Sequence, residues 1–297
     1  MRRIALAALL VVALGCGALA PGEALLARPY VWASAGLLEL RSCRFRAEAP
    51  LGVALASAAS AAEARLLDAA LASLTGVGPG VRFERASEGP LRVRFVAGAV
   101  VRADGSPGTG RTVADCRLEP GGGAALVAAD VEIARTTPPD WRGATRPLGE
   151  DELAGVLLHE LAHALGVAGH AARGDSLLSA EPEAVRRAGR RALAGEPSRS
   201  PALAALYARP AGEVLVRRPL EAWRTAELDR LAALAARRGL DGPYLRAGDV
   251  SGQILWRDRA GREWGFRVHD LAGLARDPAG LLLVPDAAAR EALARAR

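Results

Sequence analysis

Three of this chain's four histidines fall in one short run, His159-Glu160-Leu161-Ala162-His163-Ala164-Leu165-Gly166-Val167-Ala168-Gly169-His170. Residues four apart share one face of a helix, about 6 Å apart along its axis, so His159 and His163 can offer two imidazoles to one ion if the run is helical. Glu160 lies about 100° round from the first of them, which sets its carboxylate beside a metal rather than on it and suits it to be a general base. Gly166 follows one turn later. Without a Cβ it can take positive φ, end the helix and reverse the chain, so that His170 returns as third ligand. Zinc held by three protein ligands keeps an open position for water and lowers that water's pKa to about 7, where a neighbouring carboxylate can take its proton. The expected cofactor is Zn2+ and the expected chemistry hydrolysis, with Glu160 activating the water and peptide bonds as the leading substrate class.

The flanks agree with a helix. Gly149-Glu150-Asp151-Glu152 puts acids at the favourable end of the dipole, and Leu153, Val156, Leu157, Leu161 and Leu165 form an apolar face that stops at Gly166.

The run HELAHALG followed shortly by a histidine resembles the metzincin zinc peptidases, particularly their bacterial matrixin-like branch. The usual metzincin run sets its third histidine where this chain has Gly169, so His170 comes one residue late, a shift that a loop absorbs. The resemblance also implies a methionine turn beneath the metal. Asp175-Ser176-Leu177-Leu178 has that look with Leu178 in the methionine's place, a nearly volume-conserving exchange in a residue that supports the metal without ligating it; the only methionine is Met1. Two other third ligands stay open. Asp175 is the fallback for His170, and Glu183 has a thermolysin-like separation, although Pro182, Ala184 and Val185 around it bring no supporting acid.

The resemblance implies an α+β fold: a metzincin-like catalytic domain with a twisted mixed sheet, an edge strand, an active-site helix and a closing helix. It covers roughly residues 30 to 210. Ser57 to Leu74 reads as an alanine-rich helix, and Val81 to Phe83, Leu91 to Val96, Arg111 to Leu118 and Ala129 to Ala134 read as strands. Within the last of these, Asp130, Val131, Glu132 and Ile133 resemble the edge strand that pairs with substrate backbone. Ser200 to Tyr207 resembles the closing helix, and Arg186 to Pro201 before it reads as a solvated helix end and loop.

Residues 1–27 read as an export segment, 28–210 as the peptidase domain and 211–297 as a small C-terminal α+β appendage. Arg2 and Arg3 precede an uncharged apolar stretch, Ile4 to Leu14, too short to span a bilayer and typical of a signal peptide. Ala13-Leu14-Gly15-Cys16 is an acceptable lipoprotein box, which would lipidate Cys16 and give the chain its one membrane attachment; Ala18-Leu19-Ala20 and Leu25-Leu26-Ala27 offer ordinary cleavage instead. The expected location is secreted, periplasmic or lipid-anchored in the envelope. With Cys16 lipidated or removed, Cys43 and Cys116 remain as one pair, either a disulfide, which an oxidising compartment permits, or two buried thiols.

Composition adds little to function. The chain has no lysine and no asparagine, and its arginines reflect a GC-rich coding bias. A pI near 10.1 would favour nucleic acid, but the net charge is only +6, acids lie among the bases, and no basic run is interleaved with aromatics, so nucleic-acid binding is not expected. The expected partner is a peptide or protein substrate, and the expected state a monomer. In the appendage, Glu213 to Val216 reads as a strand and Thr225 to Arg238 as a helix. Gln253 to Trp256 and Glu263 to Val268 read as a hairpin turned by Asp258-Arg259-Ala260-Gly261. His269 beside Asp270 reads as structural, and Asp104 to Gly108 as a turn. A competing reading is a catalytically inactive metzincin-fold envelope protein that binds or supports. Leu178 favours it, and the retained Glu160 argues against it.

Overall fold

A computed structural model describes residues 30–102, 105–119, 123–167, 169–170, 176–247, 251–269, 274 and 281–296. The export segment with Cys16, and Asp104, Asp175 and Asp270, lie outside the described residues. The architecture is mixed α/β, built on one large mixed sheet.

The sheet begins with β3 (Leu51–Leu55), β4 (Phe83–Ala86) and β5 (Leu91–Val96), which are mutually parallel with β3 in the middle. Parallel neighbours need a crossover, and α1 (Ala61–Leu74) supplies it between β3 and β4. It starts where Ser60 and Glu63 form a reciprocal capping box and buries Leu66, Leu67, Ala70, Leu71 and Leu74. β9 (Ala124–Ala134) then lies parallel to β5, and β8 (Gly110–Leu118) lies antiparallel on its other side.

This order corrects the expected edge strand. Asp130, Val131, Glu132 and Ile133 belong to an interior strand, paired with Arg92 to Phe95 on one side and with Gly110 to Val113 on the other. Every N–H and C=O along that stretch faces a neighbouring strand, so none is left for a substrate. Val131 and Ile133 are wholly buried; Asp130 pairs with Arg92, and Glu132 with Arg94 and Arg111.

The expected appendage is also not a separate body. β10 (Val214–Pro219) joins a small sheet with β1 (Tyr30–Ser34) and β2 (Leu37–Arg41), while β11 (Asp241–Ala247) pairs directly with β8. β12 (Ser251–Arg257), β13 (Glu263–His269) and β14 (Leu283–Pro285) continue the main sheet outward, giving the order β14-β13-β12-β11-β8-β9-β5-β3-β4. The boundary at 210 coincides with no break, because sequential strands on both sides of it complete the same sheets. α5 (Ala222–Arg237) is fastened to β1 through the Ser34 hydroxyl, which donates to Asp229 at 2.8 Å, and α6 (Ala287–Arg295) closes the chain against β13.

The helix carrying the histidines, α2 (Glu150–Ala164), lies against β8 and β9 with α1 beside it. Its other neighbour is α3 (Pro182–Leu193), whose second half falls in the stretch from Arg186 that reads from sequence as a solvated helix end and loop. α3 forms because Pro182 occupies the first turn and its inner stripe is Ala184, Ala188, Gly189 and Ala192, while arginines fill the outer face. The two helices cross closely: a Cβ on Gly155 would overlap the Val185 carbonyl, and one on Gly189 the Asp151 carbonyl. The short α4 (Pro201–Tyr207), capped by Ser200, closes under the end of α2, where the Tyr207 hydroxyl donates to the Leu165 carbonyl at 3.1 Å. Cys43, just beyond β2, is disulfide-bonded to Cys116 in β8, with Cα atoms 6.2 Å apart.

Candidate metal centre

α2 is set up at both ends. At its start the Glu152 carboxylate accepts the Gly149 N–H at 2.9 Å and is gripped by Arg146 and Arg186 at 2.7 Å each. The hydrogen bond from Arg146 is the largest cause that holds the Glu152 carboxyl far below its ordinary pKa, so Glu152 keeps its negative charge at the favourable end of the helix dipole. At its end Leu157, Leu158, Leu161 and Leu165 are fully buried, and Gly166 takes φ +110°. A second left-handed residue, Gly169 at φ +88°, turns the chain again and absorbs the extra residue ahead of His170.

The result is a convergence of three imidazoles. The Nε2 atom of His159 lies 3.1 Å from that of His163 and 3.1 Å from that of His170, and one ring nitrogen from each histidine falls within 4.8 Å of the others. The Nδ1 atoms of His159 and His163 face carbonyl oxygens, of Leu177 and Val167, each at 2.8 Å. A carbonyl only accepts, so both Nδ1 atoms carry the proton and both Nε2 lone pairs point into the cluster. Lone pairs brought this close repel unless a cation lies between them. The donor set fits a zinc ion, with the two backbone carbonyls supplying the outer hydrogen bonds that fix tautomer and ring orientation. Burial, then the neighbouring His163 and His170, pushes His159 well below its ordinary pKa, so it stays in the neutral form that ligates.

Glu160 is buried on the side of α2 that meets β8. The Thr112 hydroxyl lies 2.7 Å from its Oε2 and 2.9 Å from its backbone carbonyl, and Gly110 abuts the same carboxylate so closely that a Cβ there would overlap it. Glu160, His159 and His170 share a cavity of about 580 Å³, whose walls include Gly110 of β8, Val156 of α2 and Val185 of α3. Leu178, fully buried, follows the residue whose carbonyl orients His159.

Not every anticipated residue is here. Asp130, Val131, Glu132 and Ile133 do not line the cavity. Glu183 is outside the histidine cluster and pairs with Arg190 at 3.0 Å, and His269 sits exposed at the end of β13. Thr112 and Gly110 were not singled out from sequence. The only sign of Thr112 was a polar side chain at an inward position of an alternating strand.

No protein-family model matches the sequence, and no curated protein matches it. Among solved structures the chain is similar to High choriolytic enzyme 1 (HCE-1), a hatching enzyme zinc-protease from Oryzias latipes (Medaka fish). The identity is 17%, the match covers 42% of this chain and 48% of that one, and the TM-score is 0.23. The chain thus spans about half the length of that neighbour. A likeness at this level carries no argument about activity, which is left to the geometry of the side chains.

Proposed function

We propose that this chain is an exported zinc-dependent peptidase of metzincin type, with His159, His163 and His170 as the metal ligands and Glu160 as the general base. One observation carries the reading: three histidine nitrogens converge, with the tautomer of two of them fixed from behind, beside a buried carboxylate in an open cavity. Bound there, zinc supplies Lewis acidity that polarises a peptide carbonyl and acidifies water.

The protein's own part is proton handling and positioning. Glu160 takes a proton from water as its oxygen bonds to the carbonyl carbon, then returns it to the amide nitrogen as the C–N bond breaks. Thr112 holds the carboxylate in place and Gly110 leaves room for it. With β9 interior, the backbone available to an extended substrate is the stretch Gly110 to Val113 of β8, which pairs with β9 on one side and has no strand on the other among the described residues.

The Cys43–Cys116 disulfide supports an oxidising, extracytoplasmic location. No helix among the described residues is long and apolar enough to cross a membrane, and attachment through a lipid on Cys16 is part of the same proposal. A peptide or protein is the proposed partner and a monomer the working form.

Metal content by mass spectrometry, run with casein cleavage with and without chelator, tests the reading. One zinc and chelator-sensitive cleavage are expected; Glu160→Ala keeps the zinc and loses cleavage, while His163→Ala loses both. Cleavage that persists in purified Glu160→Ala rejects the assignment. Stoichiometric zinc without cleavage of any peptide favours a binding module on the same fold, the reading that Leu178 supports.

A further inference from the structure

The strand edge that faces the histidines is only half available. β8 runs from Gly110 to Leu118, and β11 already pairs with its far half: Ala247 opposite Ala114, Arg246 opposite Asp115, Leu245 opposite Cys116 and Tyr244 opposite Arg117. What remains unpaired among the described residues is Gly110, Arg111, Thr112 and Val113, the part beside Glu160. At about 3.3 Å per residue this is roughly 13 Å of edge.

β11 is fixed in that place. Leu245 and Ala247 are buried, and Cys116, opposite Leu245, is held by the disulfide to Cys43. Arg246 donates to Asp115 at 2.7 Å and to Glu263 at 2.7 Å, and Arg257 of β12 adds hydrogen bonds to the same two carboxylates. Lifting β11 off β8 would strip this half-buried network as well as the ladder, so the strand acts as a permanent stop.

Its direction decides which end of a substrate meets the stop. β11 is antiparallel to β8 and runs toward the histidines, from Arg117 to Ala114. A peptide pairing antiparallel with Gly110 to Val113, the more stable arrangement, continues in line with β11 and presents its amino end to Ala247. Resting on the peptidase reading, we infer that β11 truncates the amino side of the substrate groove, so that this protein prefers to cut close to the amino end of extended peptides. Glu160 reaches Gly110 and Thr112, which leaves strand pairing for about two substrate residues ahead of the scissile bond. Residues added further upstream must leave the sheet, whereas on the carboxyl side no strand among the described residues pairs with this edge of β8.

Two series of peptides around one scissile bond test this, one lengthened on the amino side and one on the carboxyl side. Rates are read with the zinc-loaded protein and affinities with the uncut Glu160→Ala complex. The expected kcat/KM and affinity peak with about two amino-side residues and fall about tenfold by six, because each further residue loses its strand partner. On the carboxyl side both rise or level off with length. Cleavage whose rate and affinity keep rising with amino-side length, or a limit found on the carboxyl side instead, overturns the inference and leaves the peptidase reading standing. No cleavage of any peptide by protein shown to hold zinc overturns both.

Discussion

Thr112 makes the Glu160 carboxylate, the proposed general base, a fixed group rather than a loose one. Its hydroxyl is buried 2.7 Å from Glu160 Oε2, and a side-chain hydrogen bond contributes about 0.5–1.5 kcal/mol. Thr112 acts through Glu160, so its removal should act on the chemical step and not on substrate affinity. Thr112→Ala is expected to lower kcat about tenfold with KM and zinc content unchanged, and Thr112→Ser to restore most of the rate, because the hydroxyl is what matters. Steady-state kinetics on the three proteins check this; a Ser variant as slow as Ala would mean that Thr112 only fills space. Glu160 and the histidines were legible in the sequence because they share one local run, where helical spacing alone brings side chains to one face. Thr112 sits 48 residues away and meets Glu160 only through the register of β8 and the packing of α2 upon it. Sequence periodicity carries neither quantity.

Elements show the same division between local and long-range information. The hairpin of β12 and β13 was legible because its turn chemistry lies in the chain, with Asp258 accepting the backbone N–H groups of Ala260 and Arg262. The strand containing Asp130 to Ile133 was legible as a strand but not as an interior one, since alternation reports what a strand buries and not which strands flank it. The full extent of α3 was hidden for another reason. Its inner stripe is small rather than apolar, and its arginines dominate the pattern, although Arg186 reaches Glu152 at 2.7 Å and Arg190 reaches Glu183 at 3.0 Å. That small stripe is what lets α3 cross α2 at Gly155 and Gly189. Replacing Gly189 forces a side chain into the Asp151 carbonyl, and overpacking of this kind costs typically 1–3 kcal/mol. Gly189→Leu is therefore expected to lower the thermal midpoint by several degrees and to weaken zinc retention, because Val185 on the same helix lines the cavity and Leu177 just before it holds His159. Calorimetry with metal analysis reads both; an unchanged midpoint would show that the crossing has room for a side chain.

At the scale of the whole molecule, one ionic cluster joins the C-terminal strands to the sheet that carries the site. Asp115 of β8, Arg246 of β11, Arg257 of β12 and Glu263 of β13 bind one another across consecutive strands. Burial by itself would raise the Asp115 pKa, but hydrogen bonds and charge from Arg246 and then Arg257 outweigh it and hold the carboxyl below its ordinary value. The hydrogen bond from Arg246 is the chief cause that lowers Glu263 as well. A carboxyl whose pKa is lower folded than unfolded binds fewer protons in the native state. Its stabilising contribution is complete above the unfolded carboxylate range, near pH 4, and is lost as pH falls through the folded value. Between pH 7 and about 5 this cluster should therefore add no pH dependence, and below about pH 4 it should add a progressive loss of stability. Asp115→Asn leaves two guanidinium groups facing one carboxylate. It should cost about 1–3 kcal/mol at neutral pH, because a partly buried carboxylate that two guanidinium groups hydrogen-bond is lost, and should flatten the acid limb. Denaturant unfolding followed from pH 7 to pH 2.5 in both proteins separates the two effects. A variant that loses stability at neutral pH and yet keeps the full acid limb would place the acid-sensitive carboxylates elsewhere, and with them the tie between the C-terminal strands and the site.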